Sequence, residues 1–315
     1  MIFTLDLDSA VMTRYGAQEG AARGYYNPAK RGRASHHPLM AFVADTRMIA
    51  NCWLRPGNSS SANNVQAFLA NTRYRLGDKQ VSLLRADRGF GDSVFIDYLD
   101  EQQLHHIIAL RQNQPLQRAL VNAEGWWVLQ DGHGKPVEGI ELTRFTYQAS
   151  TWRQPRWVAG IRQHIDQQAA PKGKTLNLFA NDPMIGKWRF SALVTDLDLP
   201  AEAIWRLYRG RTDCENRIKE LKYDFAADSF NMNNFWATEA ALTTVMLSYN
   251  LMSLLRQVLL KTSAVRHSSN SVQHTLQTLR YKLFAKAAYI TIESRRPIGK
   301  SRFKKSSPDA FCGRN

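Results

Sequence analysis

The first apolar run of the chain, 2–8 (IFTLDLD), alternates loosely between apolar and polar residues, the period of a half-buried strand. The stretch 9–37, rich in Gly, Tyr, Arg and Lys, breaks that pattern and reads as an irregular basic loop. Two further runs, LMAFVAD (39–45) and MIANCWL (48–54), predict a hairpin turning at Thr46 and Arg47. PGNSSSANN then supplies capping residues for a helix over 65–74. VSLLRAD (81–87) is a short strand ending on Asp87. After RGFGD comes a helical pattern, SVFIDYLDEQQ, and then another strand, HHIIALR (105–111). Strand, helix, strand predicts an α/β fold, a mixed sheet with helices on its faces, whose functional groups gather at strand ends. Asp87 stands at one.

From about Asn113 to Arg189 the pattern changes to alternating aromatic segments, GWWVLQ, GIELTRFTYQAS, RWVAGIRQHI and KTLNLFAND, separated by turn residues. This predicts a β-rich insertion. RFSALVTD (189–196) restores a core strand, and Leu199-Pro200 opens one long helix over 201–225, followed by a second over 235–261. One more helix and a basic, flexible tail containing RRPIGKSRFKKSSP are expected after that. The implied division is core 1–112, insertion 113–188, core again 189–262 and tail 263–315.

Composition narrows the function. The 315 residues carry a formal charge of +15, which favours a polyanionic partner because each neutralised phosphate releases condensed counterions. No apolar stretch approaches the roughly 18 residues of a membrane span. MIFTLDLDSA has no secretory pattern, so a cytoplasmic location is expected. Cys52, Cys214 and Cys312 are odd in number and widely spaced, which suits neither a disulfide framework nor a zinc knuckle. The pairs His36-His37 and His105-His106 have no Cys or acid at ligand spacing on the same element, so they are not expected to hold metal.

On a wheel at about 100° per residue, Tyr208, Arg211, Glu215 and Lys222 fall within roughly 60° of one another. Beside them Ile204, Leu207, Cys214, Ile218, Leu221 and Phe225 form an apolar stripe expected to pack on the sheet. A carboxylate between two cations at the rim of a sheet suits metal and phosphate. The plain alternative is a solvated face with an Arg211–Glu215 ion pair.

The spacing Y-x2-R-x3-E-x6-K in YRGRTDCENRIKELK, with LDLDS near the start and LLRADRGFG in the middle, resembles the bacterial DDE insertion-sequence transposases of the cut-and-paste class. DLDSAV, YGAQEGAARGYYNPAKRGRASHHPL and RADRGFGDSVF extend the resemblance, which runs from residue 3 to at least 260. It implies an RNase H-like core interrupted by a β insertion, with Asp8, Asp87 and Glu215 as catalytic metal ligands. Ala10 departs from the Thr common in the family, and Asp6, on the same strand face, remains the alternative first ligand. Two Mg²⁺ ions, or Mn²⁺ in their place, would serve in-line phosphoryl transfer: hydrolysis, hairpin formation, then strand transfer.

Tyr208, Arg211 and Lys222 would hold the DNA backbone. Trp126, Trp127, Trp152, Trp157 and Trp188 are candidates for stacking on a flipped base, with core packing as the alternative for each. Lys30 to Arg33 and the tail cations Arg295 to Lys305 are further phosphate candidates. The implied partners are double-stranded DNA, as transposon ends and target, and a second copy in a homodimeric complex. Such transposases carry an end-binding region before the first catalytic strand, whereas here Met1 stands seven residues before Asp8, so a chain truncated at its N-terminus is expected. Two other readings stay open: an RNase H-like nuclease without strand transfer, and a non-catalytic DNA-binding remnant.

Overall fold

A computed structural model describes residues 2–24, 32–165, 187–262, 275–284, 288–293 and 296–301. The opening run forms β1 (Ile2–Ser9), and the predicted hairpin forms β5 (Leu39–Val43) and β6 (Met48–Trp53), with Arg47 taking a positive φ in the turn. Between them, the stretch expected as loop carries three short strands, β2 (Met12–Thr13), β3 (Ala22–Arg23) and β4 (Ala34–His36), which make a small sheet of their own. Helix α1 (Val65–Leu76), β7 (Gln80–Ala86), α2 (Ser93–Glu101) and β8 (His106–Ala109) follow as predicted. Asp92 caps α2 by accepting from the Val94 N–H.

The next stretch opens on a helix the strand-like pattern hid, α3 (Gln114–Asn122), started by an Asn113 side chain that accepts from Leu116 N–H and by Pro115 in the first turn. Strands β9 (Trp127–Gln130), β10 (Pro136–Tyr147) and β11 (Arg156–His164) come next, and β12 (Trp188–Thr195) returns to the centre. KTLNLFAND lies outside the described residues. The sheet order is β6-β5-β1-β7-β8-β12-β11-β10-β9. Strands β1, β7 and β8 run parallel, and every other neighbouring pair is antiparallel. The strands of 113–188 thus extend the same sheet.

Strand alternation sorts the core into two faces. Phe3, Leu5 and Leu7 of β1, with Leu84 and Ala86 of β7, face α1, α2 and α3 through Phe68, Leu69, Phe95, Leu99 and Leu116. The opposite face of β1 and β7 therefore carries Asp6, Asp8 and Arg85. It is covered by α4 (Ala201–Arg209) beside β8, β12 and β11, and by α5 (Thr212–Asp224) and α6 (Phe235–Thr262) beside β5 and β6. The Asn250 side chain docks α6 onto β6 by accepting from Ile49 N–H and donating to Ile49 O. No helix among the described residues is long and apolar enough to cross a membrane.

Two expectations need correction. The single helix over 201–225 is two helices, broken at Gly210 and Arg211. Part of the basic tail is ordered: after α7 (Leu276–Phe284), β13 (Ala288–Glu293) and β14 (Arg296–Ser301) form a hairpin, because AYITIE is an apolar alternating run that pairs with the basic segment after it.

Candidate active site

The parallel register of β1 on β7 pairs Asp6 with Arg85 and Leu7 with Ala86. One residue further, Asp8 and Asp87 leave adjacent parallel strands at the same end of the sheet, where neighbouring chains lie about 5 Å apart. Asp8 is nearly buried. Its Oδ1 accepts from Ser9 N–H at 2.8 Å, and its Oδ2 accepts from Arg211 Nη2 at 3.0 Å. Burial raises its pKa to about 6; Arg211 opposes the shift, while the charges of Asp87 and Glu215 add to it.

Asp87 is held by a tight local turn in which its Oδ1 accepts from Gly89 N–H at 2.8 Å. The turn needs glycine at 89, because a Cβ there would meet Ser61 Oγ at 2.7 Å and Asp87 Oδ1 at 2.9 Å. Ser61 in turn bonds Ser9 Oγ at 2.8 Å. The loop between β6 and α1 therefore braces both acid-bearing strand ends, a contact with no signal in the sequence.

Glu215 lies in the first turn of α5 and is exposed. Tyr208, half-buried at the end of α4, has a raised pKa, first through burial and then through Asp87, Asp8 and Glu215, with Arg211 opposing. One tyrosine thus senses all three acids. Arg211 is buried against Asp8 and also donates to Leu7 O at 3.1 Å. Burial acts to lower its pKa, but the anionic groups around it, Asp8 foremost, leave it raised and charged. Lys222 donates to Val11 O at 2.9 Å, and both Lys222 and Asp87 act electrostatically on the buried His37. The fold thus gathers all six expected residues at one end of the sheet, with Arg211 turned inward onto Asp8. Among the described residues no three His, Cys, Asp or Glu side chains form a ready-made metal cage, since Asp8 is turned onto Arg211 and Glu215 points to solvent.

The profile of the family described as Transposase DDE domain group 1 matches residues 2–300. The chain belongs to this family. A search of the curated proteins found no match. Among solved structures, this DDE transposase domain is similar to a cryo-EM structure of piggyBac transposase in a synaptic complex with hairpin DNA. The identity is 12% and the TM-score 0.48, over 89% of this chain and 52% of that one. The chain therefore spans about half the length of that protein.

Within the DDE transposase domain, Asp6, the alternative first ligand, lies on the same face of β1 as Asp8 and is buried. Both its oxygens accept from Arg85, at 2.6 and 2.8 Å, in a buried pair. Arg85 was missed by sequence reasoning: a cation inside the apolar run VSLLRAD is unusual, but its pairing with Asp6 needs the strand register. The expected apolar stripe is split by the helix break. Ile204 packs with Leu83, Ile107 and Leu193, whereas Cys214, Ile218 and Leu221 pack with Met40, Phe42 and Tyr249, and Leu207 is exposed.

Of the tryptophans, Trp152 is buried against Tyr147, and Trp126 packs on Phe190 and Arg162. Trp188 lies beside His164 and Arg162. Trp127 and Trp157 are each about two-fifths exposed. Trp157 pairs with Thr195, Thr195 with Ile107 and Ile107 with Arg85, so it lies level with the Asp6–Arg85 pair but three strands away from β7. Arg33 stacks on Tyr15, while Lys30, Arg31, Arg295 and residues 302–305 lie outside the described residues, as does Cys312. Cys52 and Cys214 are free thiols.

Proposed function

We propose that this domain cleaves and joins DNA phosphodiesters, as the catalytic part of a transposase, using divalent cations held by Asp8, Asp87 and Glu215. The observation that carries the reading is the β1–β7 register, which sets two carboxylates at adjacent strand ends beneath the helix bearing the third. An all-carboxylate donor set fits a hard cation, Mg²⁺ or Mn²⁺, preferably as a pair. The chemistry such a pair supplies is activation of the attacking oxygen and stabilisation of the leaving one. The order β6-β5-β1-β7-β8 with an antiparallel β5 supports reading the first half of the sheet as an RNase H-like core.

The chain's own residues would do the rest. Arg211 holds the Asp8 carboxylate in place until a cation competes for it, and its Nε, buried without a hydrogen-bond partner, is a spare donor. Tyr208 and Lys222 would steady the DNA backbone beside the acids. The net charge of +15 suits double-stranded DNA as transposon ends and target, handled by two copies, within the bacterial nucleoid.

Strand transfer separates this from plain nuclease action. Incubated with a duplex bearing a precut 3′-OH end, Mg²⁺ and a supercoiled target, the protein should yield joined product. Divalent-dependent nicking without joining would favour a nuclease, and neither product would leave a DNA-binding remnant.

A further inference from the structure

Arg85 makes three contacts that together span two layers of the fold. Its Nε and Nη2 donate to the two oxygens of Asp6, and its Nη1 donates to Leu207 O at 2.5 Å. In an unbroken α-helix that carbonyl would accept from Arg211 N–H. Here Arg211 N–H bonds Tyr208 O instead, at 2.9 Å, one residue nearer. Gly210 and Arg211 keep helical dihedrals, with φ of −56° and −66°, so the chain is tightened rather than unwound. A Cβ at residue 210 would lie 2.5 Å from Arg85 Nη1, so glycine there leaves the room in which the guanidinium reaches Leu207 O.

We propose that Arg85, anchored by Asp6, is a positioning residue of the metal site: it draws the Leu207 carbonyl down and so fixes the rotation of α5 relative to α4. The inference rests on the proposed metal site and names a determinant of it. A turn closed three residues back winds by about 120° per residue instead of about 100°. That change of phase at residues 208–211 seats Arg211 on Asp8 and Leu7 O, with Glu215 one turn further along α5. A buried ion pair that served stability alone would have no need of the third donor, since a well-packed apolar pair often serves stability as well or better. The Gly210 gap and the Leu207 contact are what a positioning brace requires.

Mn²⁺ binding, followed by electron paramagnetic resonance on the full chain, tests this without relying on turnover. Four proteins are compared: the wild type, Asp8→Asn, Arg85→Lys and Gly210→Ala, with near-UV circular dichroism reporting the fold. Arg85→Lys keeps the charge beside Asp6 and loses the fork. Gly210→Ala displaces only the guanidinium end from Leu207. The expected result is Mn²⁺ binding abolished in Asp8→Asn and weakened about 10- to 100-fold in the other two, with the fold retained. Wild-type affinity in Asp8→Asn, or no binding by the wild type, overturns the metal reading itself. Loss in Asp8→Asn with wild-type affinity in Gly210→Ala overturns the brace alone, and that variant decides the matter if Arg85→Lys fails to fold. A merely structural pair would move the melting temperature and leave Mn²⁺ affinity unchanged.

Discussion

His106 is fully buried at the start of β8, with Nδ1 3.2 Å from Leu104 O and 3.4 Å from Asp196 Oδ1. Burial lowers its pKa below the ordinary histidine value of 6.5, although Asp196 and Asp100 oppose the shift. Near pH 6 the unfolded chain therefore binds more protons at this group than the folded one. Its contribution to stability is complete above 6.5 and shrinks as pH falls. Asp8 acts with the opposite sign: raised to about 6, it takes up a proton in the folded state first, so its cost fades over the same fall. His106→Asn isolates the first effect. The difference in urea midpoint between wild type and variant should narrow from pH 7.5 to pH 5.5, and a constant difference would exclude the histidine as its source. The same scale shows why some residues were legible. Asp87 announced itself by ending an apolar run before RGFG, whereas the fate of Asp6 depended on a partner 79 positions away that only strand register reveals.

Helices differ in how openly they declare themselves. For α2 the cap Asp92 and the apolar spacing were sufficient, and α1 forms where predicted although Asn64 makes no side-chain cap bond. Helix α3 was hidden at the head of a strand-like stretch, where Asn113, Pro115 and the i, i+4 spacing of Leu116 and Leu120 signalled it. Asn113→Ala removes the acceptor for Leu116 N–H and should cost about 1 kcal/mol, read as a lower urea midpoint with unchanged slope. The wheel over 201–225 grouped Tyr208, Arg211, Glu215 and Lys222 on the assumption of one continuous helix. The structure gathers the same four across a tightened break, because the competing donor that makes the break belongs to β7 and is invisible to helical periodicity.

Across the whole molecule, the apolar faces of the sheet were readable from alternation, while the joints between its covering layers are polar. Glu220 of α5 is buried and accepts from Arg217 at 2.9 Å and from Arg256 of α6 at 3.4 Å, with Tyr249 Oη also at 3.4 Å. Glu220→Ala would leave the buried Arg256 without its carboxylate and Arg217 with Asp213 alone, and should destabilise the fold by about 3 kcal/mol. Glu220→Gln, which keeps an acceptor, should be milder, and equal loss in both, seen by urea unfolding, would show that charge rather than hydrogen bonding carries the joint. Such a joint left little trace in the sequence, since it needs α5 and α6 already packed.

The proposed assignment gives three carboxylates at one sheet end the cations that cut DNA. It is tested most directly by nicking of supercoiled plasmid with Mg²⁺ or Mn²⁺, using wild type, Asp87→Ala and Glu215→Ala. Glu215 is exposed in the first turn of α5, so its loss should spare the fold while nicking falls to the level seen in EDTA. Divalent-dependent nicking that survives Glu215→Ala in a folded protein would contradict the assignment.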